Sequence, residues 1–373
     1  MIYFDNAATG GFKAAAVTEA AVTAVKYLCA NPGRSGHRLS ITGAKTVLAA
    51  RMSLAKLFNA EDSDRVIFTK NATEALNLTL QGTARRNGHI VTTIYEHNSV
   101  WRTLTHLKEE YGIRVSVTDG TPESIAAALT DETYLVMVNH VSNVTGREAD
   151  LPAIGNVLKK TGVLFACDCS QSAGHVPIDM KKCGIRILCA AGHKGMGGIM
   201  GSGFLIFDGD TEIRPVLFGG TGTESLNTSQ PTFYPDRLES GTLNLPAIAA
   251  LGEAAEYVRP NLKIFGETLY TLTDALIGEL KHLPFVRIYS EPNRFGIVSF
   301  AAKIPSAELA DILSSRYDIA VRGGLHCAPV IHKHLGTERD GLVRVSFAPQ
   351  NSLREISALI KALGQILQGG APV

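Results

Sequence analysis

Short apolar runs alternate with helical patterns along the middle of the chain. The strand-like runs occupy residues 65–68, 89–94, 134–138, 163–166 and 203–207. Helical segments lie between several of them, including one in which a single face carries Val100, Leu104, Leu107 and Tyr111. This alternation predicts an α/β fold with a mainly parallel sheet flanked by helices. Because such sheets bind ligands at the carboxyl ends of their strands, the residues after each run are candidates for the site.

The pattern changes from about residue 260 onward, which indicates a second, smaller α+β domain. Its expected helices are a long one to about 283 and a further one at 306–316. Strand-like runs lie at 285–289, 297–300 and 342–347. A closing helix follows Ser352 and Glu355, which have capping-box spacing. We expect a large domain over residues 14–255 and a small domain made of residues 1–13 and 256–373. The Gly/Thr/Ser-rich stretch 219–232 is expected to be irregular.

Composition favours small-molecule chemistry. The 373 residues are 45% hydrophobic and 19% charged, the mix of a globular protein of roughly two domains. A formal net charge of +1 gives no electrostatic reason to bind nucleic acid or an acidic membrane. No signal-peptide pattern opens the chain, and no run approaches the ~20 apolar residues of a membrane span. We expect a cytoplasmic protein whose six cysteines are mostly buried hydrophobes and not disulfides.

Lys194 and Asp168 are the first candidates for chemistry. Lys194 lies in a glycine-dense turn between apolar runs, where the backbone can approach a ligand closely, although a solvated loop charge is the alternative. Asp168 follows the fourth run, and strand alternation places it on the face opposite Cys167 and Cys169. An acid there can cap a helix or keep a pyridinium nitrogen protonated. Gln171 is a nearby hydrogen-bond donor.

Two further candidates lie where strands give way to helices. Thr73 opens a helix after the first run, and the free N–H groups and positive dipole of a helix N-terminus suit a phosphate. Thr73 can equally be an ordinary N-cap. His97 lies at the next such junction, where its planar ring can stack on a planar cofactor or serve a purely structural role.

Cys327 is the candidate nucleophile. Two glycines before it and a proline after it predict a loop. His326 and Arg322 would give it the electropositive, accessible setting that favours a reactive thiolate, whereas a buried structural cysteine is the alternative. A metal site is the third reading, with ligands His326, Cys327, His332 and His334. That set lacks a second cysteine pair or a zinc spacing, so no metal is expected.

In chain order these residues resemble the cysteine desulfurases, which are fold-type-I enzymes of the class V aminotransferase-like group. The resemblance spans nearly the whole chain. The matching segments are residues 3–9, 31–37, 71–74, 96–97, 143, 168 with 171, 192–194, 239–244 and 322–328. It implies a large domain with a mainly parallel seven-stranded sheet, a homodimer, and pyridoxal 5'-phosphate (PLP) as cofactor.

The resemblance also implies individual roles around the cofactor. Lys194 would bind PLP covalently, Asp168 would pair with its pyridine nitrogen, and Gln171 would contact its phenolic oxygen. His97 would stack on the ring. The remaining cofactor contacts would come from Ala72, Thr73, Asn143, His193 and Thr242. Among them Thr73 and His193 would hold the phosphate, and Thr242 would reach it from the neighbouring subunit.

The implied reaction converts L-cysteine to L-alanine. Lys194, His97 and Cys327 would be the catalytic residues: the Lys194 amine removes the α-proton, and the Cys327 thiolate takes the substrate sulfur as a persulfide. Substrate contacts are implied for Asn6, Ala7, Asn143, Arg322 and Arg344. The Arg344 guanidinium would bind the substrate carboxylate. A sulfur-acceptor protein would be a further partner.

Other functions stay open from the residues alone. The same scaffold could serve as a selenocysteine lyase, a cysteine or cystine β-lyase, or an epimerase, and L-selenocysteine is therefore a second candidate substrate. Only persulfide transfer requires Cys327. A protein that only binds a partner or relays sulfur is a reading of a different class. Ala191 stands where many relatives carry a hydroxyl residue, so the phosphate contacts would rest on Thr73 and His193.

Overall fold

The structure is a computed structural model that describes residues 1–368. Its α-helices are α1 (Ala15–Tyr27), α2 (Arg38–Phe58), α3 (Ala72–Gly82), α4 (Asn98–Tyr111), α5 (Pro122–Ala128), α6 (Leu151–Leu158), α7 (Met180–Cys183), α8 (Leu245–Val258), α9 (Leu262–Leu280), α10 (Ser306–Tyr317), α11 (Pro329–Leu335) and α12 (Leu353–Gln368). Its strands are β1 (Ile2–Tyr3), β2 (Val66–Thr69), β3 (His89–Thr93), β4 (Arg114–Thr118), β5 (Thr133–Asn139), β6 (Leu164–Asp168), β7 (Ile187–Ala191), β8 (Gly203–Phe207), β9 (Arg287–Ile288), β10 (Ile297–Ala301), β11 (Ile319–Ala320) and β12 (Val343–Ser346).

Seven strands form one sheet in the order β2-β8-β7-β6-β5-β3-β4. Strand β8 runs antiparallel to both of its neighbours, and the other pairs are parallel. The α/β fold and the mainly parallel seven-stranded sheet are therefore confirmed. Two of its strands were not predicted. β4 is a partly exposed edge strand, and β7 is rich in alanine and cysteine, which have weaker strand preference than Val or Ile.

Helices cover both faces of the sheet, and successive strand residues supply alternate cores. Along β2, Val66 and Phe68 join the core that includes residues of α2, α6 and α8, whereas Ile67 joins the core that includes residues of α3 and α4. Burial on both faces explains why these strands read as continuous apolar runs. The carboxyl ends of the parallel strands therefore meet at a single edge, above which the candidate residues lie.

The remaining strands form the smaller α+β part. Strands β9, β10 and β12 make an antiparallel sheet whose core includes residues of α9, α10 and α12. β1 pairs with β11, and the Phe4 ring packs edge-on against Phe347 with 5.1 Å between centroids. The division into a large domain over residues 14–255 and a small domain of residues 1–13 and 256–373 stays a prediction. Residues 369–373 of that predicted domain lie outside the described residues.

Within residues 1–368, no helix has the length and apolar character needed to cross a membrane. The expected strand at 285–289 is reduced to the two residues of β9. The stretch 219–232 contains neither helix nor strand, as predicted. In the capping box before α12, the Glu355 carboxylate accepts a hydrogen bond from the Ser352 N–H at 2.7 Å.

Gly203 determines how closely α3 approaches the sheet. A Cβ atom at Gly203 would lie 2.4 Å from the carbonyl carbon of Asn71, the residue that precedes α3. We predict that Gly203→Ala lowers the free energy of unfolding by about 1–3 kcal/mol, because the start of α3 must move. Urea denaturation measures this change. The matched control is Gly278→Ala on the exposed face of α9, where a Cβ meets no atom within 4 Å and should raise stability by about 0.5–1 kcal/mol.

Candidate functional site

Most of the predicted residues line one cavity at the carboxyl edge of the sheet. The cavity has a volume of about 220 Å³, and its walls include Ala7, Ala72, Thr73, His97, Asn143, Asp168, Gln171, His193, Lys194, Arg322 and Arg344. A larger cavity of about 620 Å³ lies elsewhere, beside Tyr270 and Tyr289, and none of the predicted catalytic, cofactor or substrate residues lines it. The candidate site is therefore the smaller cavity.

Three predicted residues lie outside this cavity. The Asn6 amide is engaged in the fold, because its Nδ2 donates to the Ser346 carbonyl and its Oδ1 accepts from the Gly11 N–H, both at 2.9 Å. Thr242 lines a separate cavity next to β2 and α8. Cys327 lines an adjoining cavity that shares Thr73 and His97 with the main one.

Lys194 lies in the turn between β7 and β8. Burial lowers the pKa of its amine to about 8, and the positive charges of Arg344 and Arg322 act in the same direction. The Asp168 carboxylate opposes this shift. An appreciable share of the amine is therefore neutral near pH 7, and a neutral amine can attack an electrophile or accept a proton.

Asp168 is the last residue of β6, and only 4% of its surface is exposed. Its Oδ1 accepts a hydrogen bond from the Ser170 N–H at 2.9 Å. Gln171, a short distance further on, donates from Nε2 to the Ala7 carbonyl at 3.0 Å. Cys167 and Cys169 point to the opposite face and lie in the core, as strand alternation predicts. The carboxylate is therefore aimed into the cavity by the strand that carries it.

Asn71, and not Thr73, is the N-cap of α3. Its side-chain oxygen accepts from the Glu74 N–H at 3.0 Å, so the interpretation of Thr73 as a possible N-cap is wrong. The Thr73 hydroxyl instead contacts the Ser99 hydroxyl at 2.8 Å. Ser99 in turn lies 2.9 Å from the Nδ1 atom of His97. A polar chain therefore links the start of α3 to the histidine ring.

The imidazoles facing the cavity are held in their neutral form. The pKa of His97 is lowered to about 4, mainly by burial and secondly by the nearby Lys194 charge. Burial also lowers the pKa of His193 to about 4, with added effects from Lys194 and Lys13. The Nδ1 atom of His193 lies 3.1 Å from the Thr9 hydroxyl. Neutral rings can stack, or donate one N–H each, without adding positive charge to the site.

Cys327 lies two residues before α11, in a backbone conformation that residues with side chains rarely adopt. The φ angles of His326 and Cys327 are 48° and 59°, in the left-handed region. Contacts to both carbonyls help to hold this segment: Asn143 Nδ2 donates to the His326 carbonyl, and the Asn98 N–H donates to the Cys327 carbonyl, both at 2.7 Å. Arg322 Nη2 lies 3.9 Å from the Cys327 sulfur. The thiol therefore faces a fixed cation.

The expectation that His326 also supplies positive charge is wrong. Burial lowers its pKa to about 2, with further lowering by Arg344, and its Nε2 lies 3.0 Å from the Leu342 carbonyl oxygen. The structure also places the residues considered as metal ligands. The Nδ1 atom of His332 lies 2.8 Å from the Thr337 hydroxyl, and among residues 1–368 no three His, Cys, Asp or Glu side chains are grouped to bind a metal.

Arg344 is the most deeply buried cation of the site, with 1% of its surface exposed. Its Nη1 donates to the Asn143 carbonyl at 2.9 Å, and its Nη2 forms an ion pair with Asp5 at 3.0 Å. Its Nε has no partner in the described part of the chain. The guanidinium is therefore held in place from two sides and keeps a free donor.

Several residues of the site were not predicted from the sequence. They include Asp5, Ser99, Asn139 and Ser170. Asn139 and Ser170 follow the general rule for this sheet, because they lie at or just after the carboxyl ends of β5 and β6. Asp5 acts through Arg344 and Ser99 through His97, and no local sequence pattern marks such pairs.

The aminotransferase class-V family model matches residues 2–359 of the chain. A probable cysteine desulfurase of Methanothermobacter thermautotrophicus is 32% identical, over 98% of this chain and 94% of that protein. One of Pyrococcus abyssi is 31% identical, over 99% and 94%. The solved apo structure of cysteine desulfurase from Thermococcus onnurineus superposes with a TM-score of 0.90 at 32% identity, covering 98% and 94%. The chain belongs to the aminotransferase class-V family, and within it to the cysteine desulfurases.

The Asn143 contact should control how firmly the cysteine segment is held. We predict that Asn143→Ala speeds hydrogen exchange of the amides in residues 324–328 about fivefold, because one hydrogen bond of about 1 kcal/mol is lost. Mass spectrometry of peptides from that segment measures the rate. Asn77→Ala is the matched control, since the Asn77 amide bonds only within the large domain and should leave these amides unchanged. Equal exchange in both variants would contradict the role of Asn143.

Proposed function

We propose that the protein is a PLP-dependent cysteine desulfurase that converts L-cysteine to L-alanine and takes the sulfur onto Cys327 as a persulfide. The observation that carries the proposal is the arrangement of two reactive groups. An amine of lowered pKa, Lys194, faces the Asp168 carboxylate in one cavity. A thiol beside a guanidinium, Cys327, faces the adjoining cavity. The relatives named cysteine desulfurase support the same conclusion.

The cavity fits PLP in the chemistry of its unpartnered groups. Within residues 1–368, the buried Asn143 Oδ1, Ser170 Oγ and Arg344 Nε atoms have no hydrogen-bond partner, and buried polar atoms normally have one. The N-terminus of α3 adds free N–H groups that suit a phosphate. Cofactor contacts are proposed for Ala72, Thr73, His97, Asn143, Asp168, Gln171, His193 and Lys194.

When bound, PLP supplies an electron sink that stabilises the negative charge left on a substrate carbon after proton loss. Residues of this chain would hold the cofactor and move the proton. Asp168, held by the Ser170 N–H, would place a negative charge opposite the ring nitrogen. The neutral His97 ring would cover one face of the cofactor. The Lys194 amine would attach the cofactor and afterwards accept and return the substrate proton.

Substrate binding is proposed for the arginines and the N-terminal segment. The Arg344 guanidinium, fixed by Asp5 and the Asn143 carbonyl, would bind the substrate carboxylate. Arg322 would stabilise the Cys327 thiolate, whose attack on the substrate sulfur would form the S–S bond while the sulfur–carbon bond breaks and its electron pair passes to the substrate carbon. Ala7 lies on the cavity wall and would contact the substrate from the other side. Asn6 would act indirectly, by holding that segment in place.

We also propose a homodimer. Thr242 lies away from the cavity of its own chain, in a surface region where its Oγ1 is 3.4 Å from Asn31 Nδ2. Exposed apolar side chains such as Phe218 and Leu226 lie with Thr242 in the segment between β8 and α8. A second copy packed there would cover apolar surface and bring Thr242 to the neighbouring site. The sulfur on Cys327 would then pass to a thiol of an acceptor protein.

Replacing the proposed sulfur acceptor should separate cofactor binding from sulfur transfer. We predict that Cys327→Ser keeps the visible absorbance of bound PLP but loses at least ~100-fold of the sulfide release from L-cysteine, because a hydroxyl is a poor acceptor of sulfur. Cys29→Ser, at an exposed cysteine, is the control and should keep full activity. Retained turnover in Cys327→Ser, with L-cysteine or L-selenocysteine, would favour a lyase.

The Lys194 amine should give cofactor attachment a pH dependence. We predict that the rate of PLP attachment to the apoprotein rises with pH and levels off above about 8, because only the neutral amine attacks an aldehyde. Stopped-flow absorbance measures the rate. Borohydride treatment should then leave a pyridoxyl mass on the peptide containing Lys194, and on no peptide of Lys194→Ala. A labelled peptide elsewhere in the chain would overturn the assignment.

A further inference from the structure

Glu96 is a fully buried carboxyl group to which the proposed mechanism gives no role. It lies between β3 and α4, directly before His97, and none of its surface is exposed. Its Oε1 accepts from the Asn139 N–H at 2.7 Å and from the Thr93 hydroxyl at 2.8 Å. Its Oε2 has no partner among residues 1–368. Burying a carboxyl group with an unpaired oxygen is costly, so its presence calls for a compensating role.

The Glu96 carboxyl joins two walls of the cavity. Asn139 is the last residue of β5, where it lies opposite Asp168 in the sheet register. Besides the bond to Glu96, the Asn139 side chain donates from Nδ2 to the Tyr95 carbonyl at 2.8 Å. Two hydrogen bonds therefore run between the residues before His97 and the strand next to Asp168. Both Asn139 and His97 line the cavity.

We propose that Glu96 is a positioning residue. Its carboxyl oxygen binds the backbone N–H of Asn139 and so fixes the position of the His97 ring relative to Asp168 and Lys194. This inference rests on the proposed function, because the group that the His97 ring would cover is the proposed cofactor. The link between Glu96 and Asn139 does not depend on any cofactor.

The protonation of Glu96 should make the stability of the fold depend on pH, and this dependence can be measured. Burial raises its pKa from 4.5 to about 8, although the bonds from Thr93 and Asn139 oppose the shift. The neighbouring groups that titrate or carry charge are Asp168, which raises the pKa further, Cys167 on the same strand, and the neutral His97. Near pH 7 the carboxyl is therefore uncharged.

Folding must then take up a proton at Glu96 when the pH lies between about 4.5 and 8. Because the folded pKa is the higher one, the stability that this proton provides is complete below pH 4.5 and declines as the pH rises through about 8. Glu96→Gln keeps the acceptor oxygen and has no proton to take up. We expect it to match the wild-type midpoint of urea denaturation near pH 5 and to exceed it at pH 8.

The measurement uses the apoprotein, so it does not depend on the proposed function. Glu109→Gln is the matched control, because Glu109 is exposed on α4 and should give the same midpoint as the wild type at both pH values. A Glu96→Gln difference that is the same at pH 5 and pH 8 would overturn the inference.

A second experiment tests positioning in the PLP-loaded protein. Glu96→Ala leaves the buried Asn139 N–H without an acceptor. We expect a weaker visible circular dichroism band of bound PLP, a kcat about tenfold lower and a KM within about twofold, with Glu96→Gln close to wild type in all three. Glu96→Ala with the wild-type band and kcat would overturn the inference. If Glu96→Ala does not fold, the Glu96→Gln comparison decides. A wild-type chain that binds no PLP would overturn the proposed function, and the apoprotein test would still stand.

Discussion

A buried arginine joins the two parts of the chain, and the geometry of the site depends on it. Arg344 lies on β12 of the smaller sheet, yet it donates to the Asn143 carbonyl, which follows β5 of the seven-stranded sheet, and pairs with Asp5 of the N-terminal segment. A buried cation that loses such partners destabilises a fold by about 3–5 kcal/mol, so the three segments are expected to stay together. Asn143 then extends the connection by holding the His326 carbonyl, which places Cys327.

Burial and proximity combine to set the charges of the site. His97, His193 and His326 all have lowered pKa values, with burial as the main cause and neighbouring cations as the second. The same two causes lower the pKa of Lys194. Burial also lowers the pKa of Arg344, but a guanidinium stays protonated in proteins. The arginines therefore carry permanent positive charge, the three imidazoles are neutral, and the Lys194 amine is present in both its charged and its neutral form near pH 7.

The fold could be read from the sequence because its signals are local. Continuous apolar runs mark strands buried on both faces, and the positions that follow those runs include Asp168 and Thr73. The edge strand β4 and the alanine-rich β7 escaped because neither has that composition. The resemblance supplied residues that local pattern could not, such as Asn143 and Arg344.

What the sequence could not provide were pairings and burial. Nothing local distinguishes Asn71 from Thr73 as the cap of α3, since both are good capping residues and only the backbone geometry decides. His326 looked like a cation because it stands next to Cys327, whereas its depth in the fold makes it neutral. Asp5 lies more than 300 residues from Arg344, and such a contact exists only after the chain has folded.

The two left-handed residues at the cysteine have a consequence for how its position is maintained. Side chains at φ angles such as those of His326 and Cys327 cost roughly 1–2 kcal/mol each. Four hydrogen bonds oppose this cost: those from Asn143 and Asn98, one between the His326 ring and the Leu342 carbonyl, and one from the Ala328 N–H to the Leu325 carbonyl. The strained conformation therefore persists only while these surroundings are intact, so Cys327 owes its position to several distant segments and not to its own loop.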